Sequence, residues 1–341
     1  MSTTIKDIAK AAGVSISTVS RVLTASQTVD QEKKERVMKA VRELNYVPNN
    51  NARNLRKTQS QTVMILVKTI ENPFFQKIIH NLEKILMLRG LSLEIRNVGK
   101  NDDEITMAIR EARTNNPRGI ILMGGSFGYT NEDFRAIRIP CVLVTIKAHE
   151  RVDPDLYASV IIDDVAEMKK STEYLIGLGH RRIGCIYTKG SEEQTPNTLR
   201  AKGYIQALEE HGIECDPQLI GTSLHSNQSG YEIAFNTMMR LMERNPDMTA
   251  VVAMSDVLAI GAAKAIVASG RRIPEDISII GFDGTDEAEY FNPSLDTVAQ
   301  PVEQFAQKTA DALSQMLSAK KTSHTVLECS LINRGSCRSN H

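Results

Sequence analysis

The chain has 341 residues with 41 Lys/Arg against 41 Asp/Glu, enough length for two or three domains with a substantial apolar core. Its most apolar region, 250–268, is broken by Ser255, Asp256 and Lys264, which excludes a helical bilayer span there. The five cysteines, odd in number and without a Cys-x-x-Cys pair, speak against a disulfide framework. With the polar amino terminus, they lead us to expect reduced thiols in a cytoplasmic protein.

The zero net charge hides an asymmetry: residues 1–60 carry eleven Lys/Arg against five Asp/Glu, leaving an acidic body. A basic head on an acidic trunk is the pattern of nucleic-acid binding by one end. A membrane-bound basic tail is the rival, but no stretch of large apolar residues accompanies the charge.

In the head, Ile5, Ile8, Ala9 and Ala12 recur at helical spacing, and Ile16, Val19, Val22 and Leu23 repeat the device after Gly13. Thr4 with Asp7 resembles a capping box, Ser15 supplies an oxygen to the amides opening the second helix, and Gly13 turns the chain at positive φ. This predicts a helix-turn-helix. Ile16, Ser17, Ser20 and Arg21 are left facing outward, where Arg21 suits guanine, Ser17 a base edge or phosphate, and Ile16 a thymine methyl. The plainer alternative is a small helical hairpin with a solvated polar face. A third helix follows, capped by Asp30, with Val37, Ala40, Val41 and Leu44 buried and Asn45 closing it before Pro48. Residues 48–57 hold four asparagines and a Leu55 lacking an apolar helical partner, so this piece is expected to be disordered alone.

From Thr62 onward short apolar runs alternate with amphipathic helices. Strands are predicted at 63–67, 91–95, 119–123 and 141–145, with helices at 73–88, 102–114 and 131–138. A second series places strands at 159–162, 182–187, 249–253 and 277–281, with helices at 165–178, 198–211, 230–243 and 257–269. Two such series mean two parallel sheets flanked by helices, with a ligand cleft beyond the strands' carboxyl ends.

The segments Ile5-Lys6-Asp7-Ile8-Ala9, Gly13-Val14-Ser15, Thr18-Val19-Ser20-Arg21-Val22-Leu23 and Tyr46-Val47-Pro48-Asn49 to Leu55 closely resemble the lactose-repressor (LacI/GalR) family of bacterial transcription regulators. Asn72-Pro73-Phe74-Phe75, Leu178-Gly179-His180-Arg181-Arg182-Ile183-Gly184, Ser255-Asp256, Gly281-Phe282-Asp283, Thr297-Val298 and Gln300-Pro301 extend the likeness over the body. The resemblance implies an α/β fold: a helix-turn-helix domain (1–47), a hinge (48–60), and a two-lobed effector domain of periplasmic-binding-protein type. Its lobes would be 61–161 with 292–321 and 162–291 with 322–341. It further implies a homodimer on double-stranded operator DNA, whose hinge becomes helical there and wedges Leu55 between base pairs; an exposed leucine among cations suits that task. The DNA-facing set carried over is Ser15, Ile16, Ser17, Thr18, Ser20 and Arg21, with Asn49, Ala52, Arg53, Leu55 and Arg56 in the hinge. Thr24 stands where the family commonly has Asn, and the loop 25–28 lacks the usual Asn and Gly, so phosphate contacts there are not carried over.

For the effector, the resemblance points to Phe74, Phe75, Ser126, Phe127, Asp163, Arg200, His225 and Asp283. Carboxylates, a guanidinium and aromatic faces suit a polyhydroxylated ring, so a sugar-like effector is expected, with a purine as the second choice. No cofactor is expected, and the seven histidines show no metal-binding spacing. A rival reading takes Gly124-Gly125-Ser126-Phe127-Gly128 as a hydrolase nucleophile elbow, although no histidine is tied to it by pattern.

Overall fold

The computed structural model describes residues 5–23, 30–44, 60–99, 102–125, 128–189, 195–224 and 228–340. The chain divides into two units, 1–60 and 61–341. In the first, the apolar stripes of α1 (Ile5–Ala12), α2 (Ile16–Leu23) and α3 (Gln31–Glu43) meet in one small core. Ile8, Ala9, Ala12, Val19, Val22, Val37 and Ala40 are buried there, with Val14, Ile16, Leu23 and Val41 half-buried around them. Gly13 takes φ 62° at the turn, and a Cβ on it would come within 2.5 Å of an Arg36 guanidinium nitrogen. That guanidinium donates to the Ala12 carbonyl at 2.6 Å, so a cation on α3 satisfies the end of α1. Asp30 caps α3 by accepting from the amides of Glu32 and Lys33. Leu44, expected in the buried face, is 38 % exposed because it lies just past the last turn of α3. Thr4 and Asn45 lie outside the described residues.

The second unit holds two six-stranded sheets among the described residues. The first contains β1 (Thr62–Lys68), β2 (Ser92–Val98), β3 (Gly119–Met123), β4 (Cys141–Val144) and β5 (Ala158–Ile162), with β11 (His324–Leu327) at its edge. All its pairings are parallel, in the order β11-β5-β4-β3-β1-β2. The second contains β6 (Ile183–Lys189), β7 (Ile220–Leu224), β8 (Ala250–Ala253), β9 (Ser278–Asp283) and β10 (Asp296–Ala299), ordered β12-β10-β9-β8-β6-β7. Only its edge strand β12 (Ser330–Ile332) runs antiparallel. Central strands such as β3 and β8 are buried along their whole length, which is why they read as unbroken apolar runs rather than alternating ones.

Helices cover both sheets: α4 (Pro73–Leu88), α5 (Glu104–Asn115), α6 (Asn131–Ile137), α7 (Asp164–Gly177), α8 (Pro196–Glu210), α9 (Gly230–Arg244), α10 (Asp256–Ala268), α11 (Asp286–Tyr290) and α12 (Val302–Ala319). None of the described helices is long and apolar enough to cross a membrane. The last of them carries the chain back to the first sheet. Phe305 on α12 meets Phe74 of α4 edge-on, with 5.9 Å between ring centroids, and Leu313 packs where a Cβ on Gly119 would sit.

The strand pairings differ from the expected lobes at two places. β10 lies within the stretch assigned to the first lobe yet pairs with β9, and β11 lies within the stretch assigned to the second yet pairs with β5. Both are short and carry little apolar signal, so backbone hydrogen bonding to a neighbour decides where they belong. The chain therefore passes between the lobes after β5, after β10 and again between β11 and β12.

The carboxyl-terminal segment is tied down by polar groups. Asp296 accepts from the backbone amides of Arg334, Gly335 and Ser336, and His180 bonds both Thr249 Oγ1 and the Arg338 carbonyl. Burial holds the His180 imidazole below the usual histidine range of about 6.5. The unfolded chain takes up a proton there that the folded chain resists, so this contribution is complete above that value and declines as pH falls below it. Urea titrations from about pH 7.5 down to about pH 5 should show a smaller loss of stability for His180→Gln than for the parent; parallel profiles would remove His180 from the acid response.

Candidate functional site

Two places gather chemistry, one in each unit. In the first unit the start of α2 is set by Ser15, whose hydroxyl accepts from the Thr18 amide at 3.2 Å and lies 2.8 Å from Ser17 Oγ and 2.9 Å from Thr18 Oγ1. With Val19 and Val22 buried, Ser15, Ser17 and Arg21 are exposed and Ile16 and Thr18 half-buried. Ile16 thus divides its surface between the core and the outward face, as its place in both patterns implied. The Ser20 side chain and the hinge positions Asn49, Ala52, Arg53, Leu55 and Arg56 lie outside the described residues.

In the second unit the carboxyl ends of the parallel strands, and the helix starts that follow them, bring charge together. Asp283 ends β9 at φ 118° and is 2 % exposed. Its Oδ2 accepts from Asn72 Nδ2 at 3.0 Å and its Oδ1 from Gln300 Nε2 at 2.8 Å, with an Arg200 terminal nitrogen 3.6 Å away. Asn72 caps α4 by accepting from the Phe74 amide, so this one side chain both starts a first-lobe helix and reaches a second-lobe strand. At the same helix, Lys77 meets Asp286 of α11 at 2.6 Å.

Arg200 is buried on α8. Its Nε donates to Asp164 Oδ1 at 2.7 Å, a terminal nitrogen donates to the Met254 carbonyl at 2.6 Å, and the guanidinium lies 3.7 Å from the Phe282 ring centroid. Asp256, fully buried, accepts from the Thr285 amide and the Thr297 hydroxyl, both at 2.7 Å. A Cβ on Gly281 would come within 2.2 Å of that carboxylate, so only glycine lets β9 pass it.

Glu104, Asp164 and Asp256 each occupy the first position of a helix, where the partial positive charge of the helix end favours an anion. Burial opposes it. Asp164 is pushed up to about 6, first by burial and against the pull of Arg200. Asp256 rises to about 7 through burial and the charge of Asp283, and Asp283 itself is raised by burial despite Arg200, Asn72 and Gln300.

On the first-lobe edge, Lys68 at the end of β1 pairs with Glu104 Oε2 at 2.6 Å, and Tyr129 donates to Glu104 Oε1 at 2.9 Å. Gly124 allows Phe75 and the Lys68 carbonyl to approach within contact distance of its absent Cβ.

Of the expected effector contacts, Arg200 and Asp283 come together, 3.6 Å apart, whereas Phe75 lies against Gly124 on the first-lobe edge and is itself buried in the core. Phe74 is a core residue, 2 % exposed against Phe305, because α4 turns its next face into the sheet. Arg200 gives two of its donors to groups within the chain, the Asp164 carboxylate and the Met254 carbonyl. Asp163 is exposed and caps α7 through the Ala166 amide, and its neighbour Asp164 is the carboxylate that holds Arg200. Ser126, Phe127 and His225 lie outside the described residues. Asn72, Gln300, Asp164, Asp256 and the Lys68–Glu104 pair were not anticipated. Asn72, Asp256 and Gln300 each stood inside a quoted motif, flanked by proline or serine, and that was the signal available.

Residues 4–49 match the model of bacterial regulatory proteins of the lacI family, and residues 172–337 match that of the periplasmic binding protein-like domain. The regulator MalR of Clostridium butyricum is 33 % identical over 340 residues, covering 98 % of both chains. The chain belongs to the lacI family of bacterial regulatory proteins. The CytR repressor of Escherichia coli is also 33 % identical, over 98 % of this chain and 96 % of its own. A solved complex of the transcriptional regulator CelR with cellobiose superposes with a TM-score of 0.71 at 28 % identity, covering 98 % of this chain and 99 % of that one. These lacI-family relatives are transcription regulators, and nothing among them supports the hydrolase alternative at Ser126.

Replacing Arg200 by Met would leave Asp164 and Asp283 buried without their cation, a loss of about 3–5 kcal/mol by the usual cost of a broken buried pair. Urea denaturation should show the loss largest at alkaline pH and smaller near pH 5, where the carboxyls can take protons; a pH-independent loss would mean that packing, not charge, dominates.

Proposed function

We propose that this lacI-family chain is a cytoplasmic transcription repressor that binds a palindromic operator as a homodimer and responds to a sugar or sugar derivative held between its two lobes. The observation that carries the reading is the outward edge of α2: exposed Ser15, Ser17 and Arg21 over a buried Val19 and Val22, in a chain collinear with MalR over nearly its whole length. That edge suits the major groove, and twofold symmetry doubles the few base pairs one head can read. We place the DNA contacts at Ser15, Ile16, Ser17, Thr18, Ser20 and Arg21, with the hinge 48–60 adding Asn49, Ala52, Arg53, Leu55 and Arg56.

Effector binding is assigned to the cleft edges, with Asp283 and Arg200 at its second-lobe wall and Phe75, Ser126, Phe127, Asp163 and His225 around it. CelR, whose complex holds cellobiose, supports a sugar as the ligand class. The bonds Asn72–Asp283 and Lys77–Asp286 join the lobes directly. A ligand that strengthens or replaces them prefers one lobe spacing, and by linkage it changes operator affinity by the factor by which operator changes its own.

Footprinting on fragments of the chain's own promoter region tests the first half: Arg21→Ala should relax preference at one base pair per half-site by about 1–3 kcal/mol, and unchanged preference would take Arg21 out of base readout. Asp283→Asn should weaken the effector response at least about tenfold, by removing a charged acceptor, with operator affinity kept within a small factor. A fully responsive variant would put the effector elsewhere.

A further inference from the structure

Among the buried charged side chains of the second unit, Glu104, Asp164 and Asp256 each open a helix, Asp283 ends β9, and Arg200 lies within reach of Asp164 and Asp283 from α8. Four are carboxylates, and the guanidinium already donates to Asp164 and the Met254 carbonyl. Two lysines stand at this edge as well: Lys77 is held by the exposed Asp286, whereas Lys68, whose side chain is 20 % exposed, is held by the buried Glu104 at 2.6 Å.

The atoms left over are acceptors or hydroxyls. Gln300 is 5 % exposed, gives its Nε2 to Asp283, and has no partner for its buried Oε1. Thr145, 8 % exposed and one residue past β4 on the first-lobe edge, has no partner for its Oγ1. A buried acceptor without a donor is costly, so a ligand that brings O–H groups is favoured there. A phosphate dianion brings acceptors only, and it would meet carboxylates whose own charge burial already disfavours.

We propose that Lys68 is a ligand-contacting residue whose ammonium, neutralised by Glu104, donates to vicinal hydroxyl oxygens, and that the cleft therefore selects an uncharged polyol over its phosphorylated form. Glu104 acts through Lys68 as a positioning and neutralising residue, itself held by Tyr129 and overlain by Gly125, where a Cβ would lie 2.5 Å from the Glu104 carboxylate. An ammonium has three N–H groups and the carboxylate takes one, which leaves donors for two neighbouring oxygens. This inference rests on the reading that the cleft holds the effector, and it narrows that reading to a charge class.

The test is calorimetric titration of the full chain with ribose and cellobiose, ribose 5-phosphate and glucose 6-phosphate, and adenosine. At least one neutral sugar should bind saturably, at least tenfold tighter than either phosphate, and Lys68→Met should weaken it at least tenfold. Glu104→Gln should narrow the gap by admitting the phosphates. The parent protein alone suffices to overturn the proposal: a sugar phosphate binding as tightly as the sugars does so, as does adenosine binding with neither sugar doing so. Failure of the cleft reading looks different, since sugar affinity would then survive both Asp283→Asn and Lys68→Met unchanged.

Discussion

A single buried carboxylate joins the parts of the effector unit. Asp283 receives Asn72 from the first lobe, Gln300 from just past the end of β10, and the flank of Arg200 from within its own lobe. A carboxylate in so enclosed a place is stable only when donors surround it, and these donors, Asn72, Arg200 and Gln300, come from segments far apart in the chain. A change in lobe spacing that draws Asn72 away from Asp283 has to break this bond and leave a buried acceptor short of a donor.

The surrounding architecture serves that point. Parallel strands send their carboxyl ends, and the starts of the following helices, to the same edge, so first-turn residues such as Asp164 and Asp256 arrive there without any local sequence signal of convergence. Small residues then permit the crowding: Gly281 beside Asp256 and Gly125 beside Glu104 leave room for carboxylates that a methyl group would displace. The result is a strand-end edge rich in buried carboxylates, with Arg200 donating to Asp164 and to the Met254 carbonyl. In the amino-terminal unit the same economy appears at smaller scale, where Arg36 of α3 reaches the end of α1 beside Gly13 and holds the turn that presents α2.

Much of this was legible beforehand. The helix at 73–88 and the strand at 119–123 match the structure residue for residue, and the other predicted elements differ mainly at their ends. Long amphipathic periods and fully apolar runs carry their own evidence. β7, β10, β11, β12 and the helices α11 and α12 were not read, for reasons that differ. The four strands are short and partly polar, and α12 follows a proline without a side-chain cap on its first turn. The family motif pointed to Phe74 as a ligand contact, yet its ring is buried against Phe305, because the direction of a side chain on a helix depends on what lies beneath it.

Taken alone, the order of amino acids determined the helix-turn-helix stripes, the basic head on an acidic body, the two strand-and-helix series and the membership in a regulator family. These are encoded locally, in spacing, capping and turn residues, and survive without knowledge of what packs where. Folding in three dimensions decided which sheet claims β10 and β11, that Arg200 turns inward to Asp164, that Asn72 and Gln300 meet Asp283, and that Lys68 meets Glu104. Hydrogen bonds and ion pairs between distant segments leave no periodicity in the chain; they exist only where the backbone has brought donor and acceptor within about 3 Å of one another.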